Sequence, residues 1–342
     1  MKLLDETAAQ RYLITGGAGF IGSNFIRQII DRPAVDKLVN LDCLTYAGNL
    51  ASLQGAERHP NYVFEQVDLR DKAAVARVVR EHEISHIVHL AAESHVDRSI
   101  ASPGEFLHTN VLGTYHLLEA CRDYWQVELG KPAVGQRFHH VSTDEVFGSL
   151  GATGRFSETT AHAPNSPYAA SKSASDMLVR AWQRTYGLPI VVTSSTNNYG
   201  PHQYPEKLIP VVIGCLVERR PIPVYGDGLH VRDWLYVEDH CEALWLVLTR
   251  GREGETYCIG GGNEWANLRV VELICDVVDE LRPALGGNSR RLIRLVADRP
   301  GHDRRYAMDA SKIERELGWR PQTGFEAGIR RTVGWYFEHP AG

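Results

Sequence analysis

Tyr12-Leu13-Ile14-Thr15 is a short apolar run that feeds directly into Gly16-Gly17-Ala18-Gly19-Phe20-Ile21-Gly22 and then into a helical stretch from Ser23 to Ile30. Strand, glycine turn and helix in that order bring backbone N–H groups and a helix N-terminus to one place, where they can receive a pyrophosphate. The spacing Gly16-x-x-Gly19-x-x-Gly22 is a variant of the dinucleotide fingerprint, and a bare tight turn would use the same residues. A second apolar run, Leu38 to Leu41, ends in Asp42, twenty residues past Gly22, where a carboxylate can accept hydrogen bonds from an adenosine ribose. No Lys or Arg follows until Arg58, which favours NAD over a cofactor carrying a 2′-phosphate.

The alternation continues. Tyr62–Val67 closes on Asp68-Leu69, Ile87–Ala92 is a fourth strand, and helical stretches lie near Lys72–His82 and Phe106–Tyr124. Phe138–Ser142 and Pro189–Thr193 complete six strands, so the fold class is α/β, a Rossmann-type doubly wound parallel sheet. In such sheets ligands bind at the carboxyl ends of the strands, which is where Asp42, Asp68, Leu90, Ala91, Ala92 and Ser94 fall. Beyond about residue 200 prolines, glycines and polar clusters interrupt the pattern. The expected division is an NAD-binding domain over 10–200 that carries the catalytic residues and a smaller C-terminal substrate-binding lobe over 201–340, with some chain crossing between them.

Phe138–Ser142 delivers Thr143-Asp144-Glu145 to that same edge. Adjacent acids there can simply cap the next segment. Beside a bound ligand they are costly to desolvate unless used. Tyr168 and Lys172 are four apart, so a helix opened by Tyr168 puts both on one face. A cation held beside a phenol favours the phenolate, which makes Tyr168 a candidate base. The spacing alone also arises by chance in helices.

Composition narrows the partners. The net charge is −5 with both signs spread along the chain, which argues against nucleic acid or an anionic membrane surface. No run of about 18 apolar residues occurs, and Met1–Gln10 is too polar for a secretory segment, so a cytoplasmic protein is expected. Cys43, Cys121, Cys215, Cys241, Cys258 and Cys275 show no metal-binding spacing, and no metal is expected.

At this level of detail the chain resembles the extended short-chain dehydrogenases/reductases and, within them, the dTDP-glucose 4,6-dehydratase family. The likeness runs nearly end to end, through Gly16–Gly22, Leu-Ala-Ala-Glu-Ser-His-Val-Asp-Arg-Ser (90–99), Ser-Thr-Asp-Glu-Val (142–146), Asn-Asn-Tyr-Gly-Pro (197–201), Arg-Asp-Trp-Leu-Tyr-Val-Glu-Asp (232–239) and Arg-Pro-Gly-His-Asp-Arg-Arg-Tyr (299–306). The glycine motif marks only the superfamily, and the Thr-Asp-Glu triplet is the specific part. The resemblance implies a redox-neutral elimination. Tyr168, with Lys172 and Thr143, takes the 4-hydroxyl proton, Glu145 removes the C5 proton, and Asp144 protonates the departing C6 hydroxyl.

It also implies that Gly16, Gly19, Phe20, Ile21, Gly22, Asp42, Cys43, Leu44, Thr45, Asp68, Leu69, Leu90, Ala91, Ala92, Thr109, Tyr168, Lys172 and Asn198 contact NAD. Ser94, Thr143, Asn197, Lys207, Leu208, Pro223, Val224, Tyr225, Arg232, Asn267, Asp298, Arg299, Pro300, Gly301 and His302 would hold the nucleotide sugar. Two departures from the family stand out, Phe147 in place of Tyr and Ser194-Ser195-Thr196, both expected to lie off the acid–base set. Family members pair as homodimers through a four-helix bundle, and Ala174, Met177, Leu178, Ala181 and Trp182 form a stripe at helical spacing that suits either a partner or ordinary core. The rival readings are another nucleotide-sugar dehydratase or 4-epimerase, and a catalytically idle NAD-binding regulator.

Overall fold

A computed structural model describes residues 10–130 and 135–339. The polar stretch 1–9 and residue 340, where the expected lobe ends, lie outside the described residues.

Among the described residues there are twelve strands: β1 Gln10–Thr15, β2 Val35–Asp42, β3 Tyr62–Gln66, β4 His86–His89, β5 Arg137–Thr143, β6 Ile190–Ser195, β7 Asn197–Tyr199, β8 Ile222–Tyr225, β9 Val231–Tyr236, β10 Thr256–Ile259, β11 Glu264–Ala266 and β12 Ile293–Val296. Seven form one sheet in the order β10-β6-β5-β4-β1-β2-β3, parallel throughout. Helices cover both faces of the sheet, and the two cores are built around Phe25, Ile26 and Trp245 on one face and Leu117, Trp125 and Phe138 on the other. The order reverses between β1 and β4, which opens a crevice above Gly16 and Ala91.

The edge strand β10 comes from beyond residue 200, and the helix Val237–Arg250 packs against Phe20–Ile29. The chain therefore returns to the sheet after residue 200, and a smaller lobe gathers the remaining elements together with β7, which precedes that residue. Its parts are the sheet β11-β9-β7, the ribbon β12-β8 and the helices Leu208–Val217, Asn267–Leu281 and Phe325–Glu338, which close over Tyr199, Val212, Trp234 and Ile274.

The expected helix Phe106–Tyr124 is part of a longer helical segment, Pro103 to Glu128, with two widened turns. In these the Gly113 N–H reaches His108 O and the Leu129 N–H reaches Tyr124 O, five residues back. Such widened turns gather at functional sites. The first one carries Thr109 and Asn110, and the Asn110 side chain is held by Glu93 and Ser171. The helix Pro167–Tyr186 starts as its sequence dictates: Ser166 caps it by accepting from the Ala169 N–H at 3.1 Å, and Pro167 occupies the first position.

Candidate active site

A cavity of about 1080 Å³ lies along the carboxyl ends of the parallel strands and under the lobe. Its floor begins at the glycine turn. Gly16 has φ +71°, and a Cβ there would stand 2.8 Å from Ala91 Cα; at Gly22 a Cβ would stand 2.2 Å from Gly16 O. Only glycines let the turn close so tightly against both the helix and the chain just past β4. Gly19, at the N-cap of Phe20–Ile29, offers no side-chain cap, so the first helical N–H groups stay open toward the cavity that Phe20, Ile21 and Gly22 line. Asp42, at the end of β2, accepts from Ala18 N at 3.0 Å and Leu44 N at 2.8 Å. Burial raises its pKa against those two hydrogen bonds. An anion cradle beside a fixed carboxylate fits the pyrophosphate and ribose of a dinucleotide. Gly22→Ala is expected to force the turn open at a cost of about 1–3 kcal/mol and to strip the protein of nicotinamide, measured by mass spectrometry of the denatured protein.

The acid–base groups converge above this floor. β5 ends at Thr143, and a tight turn over Asp144–Phe147 follows, capped by Thr143 Oγ1 accepting from Glu145 N at 3.3 Å. Thr143 Oγ1 donates to Asp144 Oδ1 at 3.2 Å, while Asp144 Oδ2 is buried without a partner. Burial, and then the Glu145 charge, push Asp144 well above the usual carboxylate range. Burial also raises Glu145, but Lys207, Arg299 and Arg232 face it and pull the other way. The pair is thus polarised: Asp144 is disposed to hold a proton and Glu145 to lose one.

Tyr168 and Lys172 lie on one face of their helix, both buried. The Lys172 ammonium donates to Val141 O at 2.9 Å, and burial lowers its pKa to about 8. The expected lowering of the Tyr168 pKa by Lys172 does not dominate. Burial and the Glu145 and Asp144 charges raise the phenol, and only the Thr143 hydroxyl opposes them locally. Burial of the ring, and then the Glu145 charge, outweigh one cation that donates to a backbone carbonyl.

Most residues singled out from sequence line this one cavity. Leu44, Asp298, Pro300 and Gly301 do not. Leu44 has φ +56° and closes the loop beneath Asp42 through its N–H. Asp298 accepts from His302 Nδ1 at 2.6 Å and from Arg299 N at 2.9 Å, so it orients wall residues from behind. Gly301, at φ +64°, makes the turn beside Asn165, and Pro300 precedes it. Lys207 Nζ donates to Ser94 O at 2.8 Å, joining lobe to sheet. Arg232 donates to Val231 O and Asp303 O and lies over the Tyr306 ring at 4.3 Å.

His230, Asp298 and His302 bring three donor atoms within 4.8 Å of one another. The imidazoles stack at 3.7 Å with an interplanar angle of 14°, so their lone pairs lie in nearly parallel planes and do not converge on one ion.

Sequence reading missed Arg70, Tyr46, Arg98, Glu206 and Tyr306 on the wall. Arg70 stands beside Asp68 but is committed to it, at 2.7 and 2.9 Å. Arg98 stacks on Tyr46 at 3.8 Å. Arg98 and Tyr306 sit inside the matched segments 90–99 and 299–306, which was the available signal. The two departures are not equally remote. Phe147 packs on Phe156 and His162, where no hydroxyl is needed, whereas Ser195 lies in register beside Thr143.

The family model described as GDP-mannose 4,6 dehydratase matches residues 13–332. A dTDP-glucose 4,6-dehydratase of Neisseria meningitidis is 55% identical over 334 residues, 96% of this chain and 94% of that one. The dTDP-glucose 4,6-dehydratase DesIV of Streptomyces venezuelae, solved with NAD bound, superposes with a TM-score of 0.87 at 49% identity over 96% of this chain and 98% of its own. That of Bacillus anthracis, in complex with NAD, gives 0.85 at 45% over 97% and 98%. With a glycine cradle, a polarised acid pair and a Tyr/Lys helix in one cavity, and these likenesses spanning its length, the chain belongs to the nucleotide-sugar 4,6-dehydratase family, on the dTDP-glucose side of it.

Proposed function

We propose that the chain is an NAD-dependent hydro-lyase that converts dTDP-glucose to dTDP-4-keto-6-deoxyglucose and water, a step of deoxysugar biosynthesis. The observation that carries this reading is the Asp144/Glu145 pair at the end of β5, Asp144 buried and Glu145 half-buried, in the same cavity as Tyr168, Lys172 and the glycine cradle. A 4-epimerase needs the base and the cradle but has no use for a buried acid held protonated beside an ionised one. An idle regulator needs neither.

Gly16, Gly19, Phe20, Ile21, Gly22, Asp42 and Asp68 would hold the dinucleotide, with Thr109, Lys172 and Asn198 near its reactive end. Bound NAD supplies the acceptor, and later the donor, of one hydride. Tyr168 takes the proton of the sugar 4-hydroxyl as C4 is oxidised, with Thr143 and Lys172 sharing the developing charge. The 4-ketone acidifies the C5 proton, which Glu145 removes. Asp144 gives its proton to the C6 hydroxyl, which leaves as water. After C6 is reduced, Glu145 is placed to return a proton to C5, and the redox balance closes. Lys207, Arg232 and Arg299, which line the cavity on the Glu145 side, suit the diphosphate.

The expected result of incubating the purified protein with dTDP-glucose, without added cofactor, is loss of one water with no net reduced nicotinamide, read by mass and by absorbance of the 4-keto product in alkali. An unchanged mass with a galactose product would assign an epimerase instead. Reaction only with another nucleotide sugar would move the specificity.

We further propose a cytoplasmic homodimer. All six cysteines are free, and no helix among the described residues is long and apolar enough to cross a membrane. The stripe on Pro167–Tyr186 divides: Leu178 and Trp182 pack into the core, while Met177 is 47% exposed, in company with Leu107 at 53% and Leu112 at 44% on the adjoining helical segment. Exposed apolar groups on two neighbouring helices suit a bundle with a second copy. Light scattering is expected to give a dimer mass, and Met177→Lys combined with Leu112→Lys a monomer.

A further inference from the structure

Asp176 takes no part in the chemistry described so far, yet it is 1% exposed one turn beyond Lys172. Tyr168, Lys172 and Asp176 follow each other at four-residue intervals, so the three project from one helix face. The Asp176 carboxylate reaches the strand that carries the acid pair twice. Ser142 Oγ donates to Oδ2 at 2.8 Å, and His140 Nε2 lies 3.0 Å from Oδ1. Between those two residues, Val141 O receives the Lys172 ammonium. Three consecutive residues of β5, immediately before Thr143-Asp144-Glu145, are thus tied to the helix that presents Tyr168.

We propose that Asp176 is a positioning residue of this site: it fixes the carboxyl end of β5 against the Tyr168 helix and supplies the counter-charge for the Lys172 ammonium. The inference rests on the proposed reaction but names a residue outside it.

The surroundings of the pair leave that role to Asp176. On β5, His140 is driven toward its neutral form by burial and then by Lys172; on β4, His89 is driven the same way by burial, then by His140 and Lys172. From the preceding loop His162 Nε2 comes within 3.9 Å of Asp176 Oδ2, and burial lowers its pKa too. Burial raises the pKa of Asp176 itself, and Lys172, the Ser142 hydrogen bond, His162 and Arg180, one turn on, pull it back toward the carboxylate. On Tyr168 itself Glu145, Asp144 and Asp176 all act. On Lys172, burial disfavours the charge, and Asp176 is the charged group that opposes it. A buried ammonium without that partner gives up its proton more easily.

The sign follows. Lys172 must be an ammonium to share charge with the phenolate, so activity falls as pH rises through its pKa of about 8. Asp176→Asn keeps the shape and an oxygen for Ser142 but removes the charge. The alkaline limb of the kcat profile is expected to move down by about one pH unit, with KM for the nucleotide sugar unchanged. Ser142→Ala, which removes a tie and leaves the charge, is expected to keep the limb in place and lower only the melting temperature. An Asp176→Asn limb that overlies the wild type would reduce the residue to packing and overturn the proposal. If Asp176→Asn does not fold, Asp176→Glu carries the test, since it keeps the charge and strains both ties. A wild-type limb with a lower kcat supports the proposal, and a limb lowered by a full unit overturns it.

Discussion

Glu145→Gln is expected to lower kcat for dehydration by about 10²–10⁴-fold, equivalent to roughly 3–5 kcal/mol in the barrier, while leaving KM nearly unchanged. The amide keeps the shape and the contacts of the carboxylate but cannot accept the C5 proton. The first half-reaction should survive, because Thr143, Tyr168 and Lys172 are untouched. The variant is therefore expected to build up reduced nicotinamide on mixing with substrate and to lose exchange of the C5 hydrogen with deuterated water. Normal exchange in Glu145→Gln would show that another group is the base. The pH dependence has a definite sign. Glu145 must be ionised, so activity falls toward acid as it protonates, and its raised pKa places that limb above the ordinary glutamate range. Lys207→Met or Arg299→Met, each removing a cation that holds Glu145 ionised, should move the limb further up in pH.

The residues to which this chemistry is assigned by proposal are legible because they are local in sequence. The glycine turn, Asp42, the acid pair and the Tyr168/Lys172 spacing each lie within a few residues of a strand or helix end, so strand order alone carries them to one edge. What escapes is whatever depends on a partner far along the chain. β10 is a four-residue run, Thr-Tyr-Cys-Ile, with no alternation to mark it, and it joins the sheet through β6, more than sixty residues earlier. β4 stops at His89 where its apolar pattern continues to Ala92, because the Ala91 N–H turns to Thr15 Oγ1 at 3.2 Å and leaves the ladder. Asp176 reads in sequence as an ordinary helical aspartate, and nothing marks it until β5 packs against it. The widened turn at Thr109 is equally silent, since its side chains keep a helical pattern.

Asp144→Asn separates function from stability in opposite directions, because the wild-type acid is kept at a cost. Asp144 is 2% exposed, one of its oxygens has no partner, and Glu145 stands beside it, so the folded protein holds the carboxyl protonated far above the pH at which the unfolded chain would release the proton. A folded-state pKa raised in this way contributes stability that is fully present below the unfolded value and drains away as pH rises toward the folded one. Each pH unit in that interval costs about 1.4 kcal/mol. Asparagine has the shape of the protonated acid, no charge to suppress, and no linkage. Asp144→Asn should therefore unfold with the wild type near pH 4 and melt higher than it by an increasing margin through neutral pH, as followed by calorimetry. Its dehydration rate should fall by about 10²–10³-fold, since the C6 hydroxyl would leave without a proton, while oxidation at C4 persists. Equal melting temperatures at alkaline pH would mean that Asp144 is ionised in the folded protein, and the general acid would then have to be sought elsewhere in the cavity.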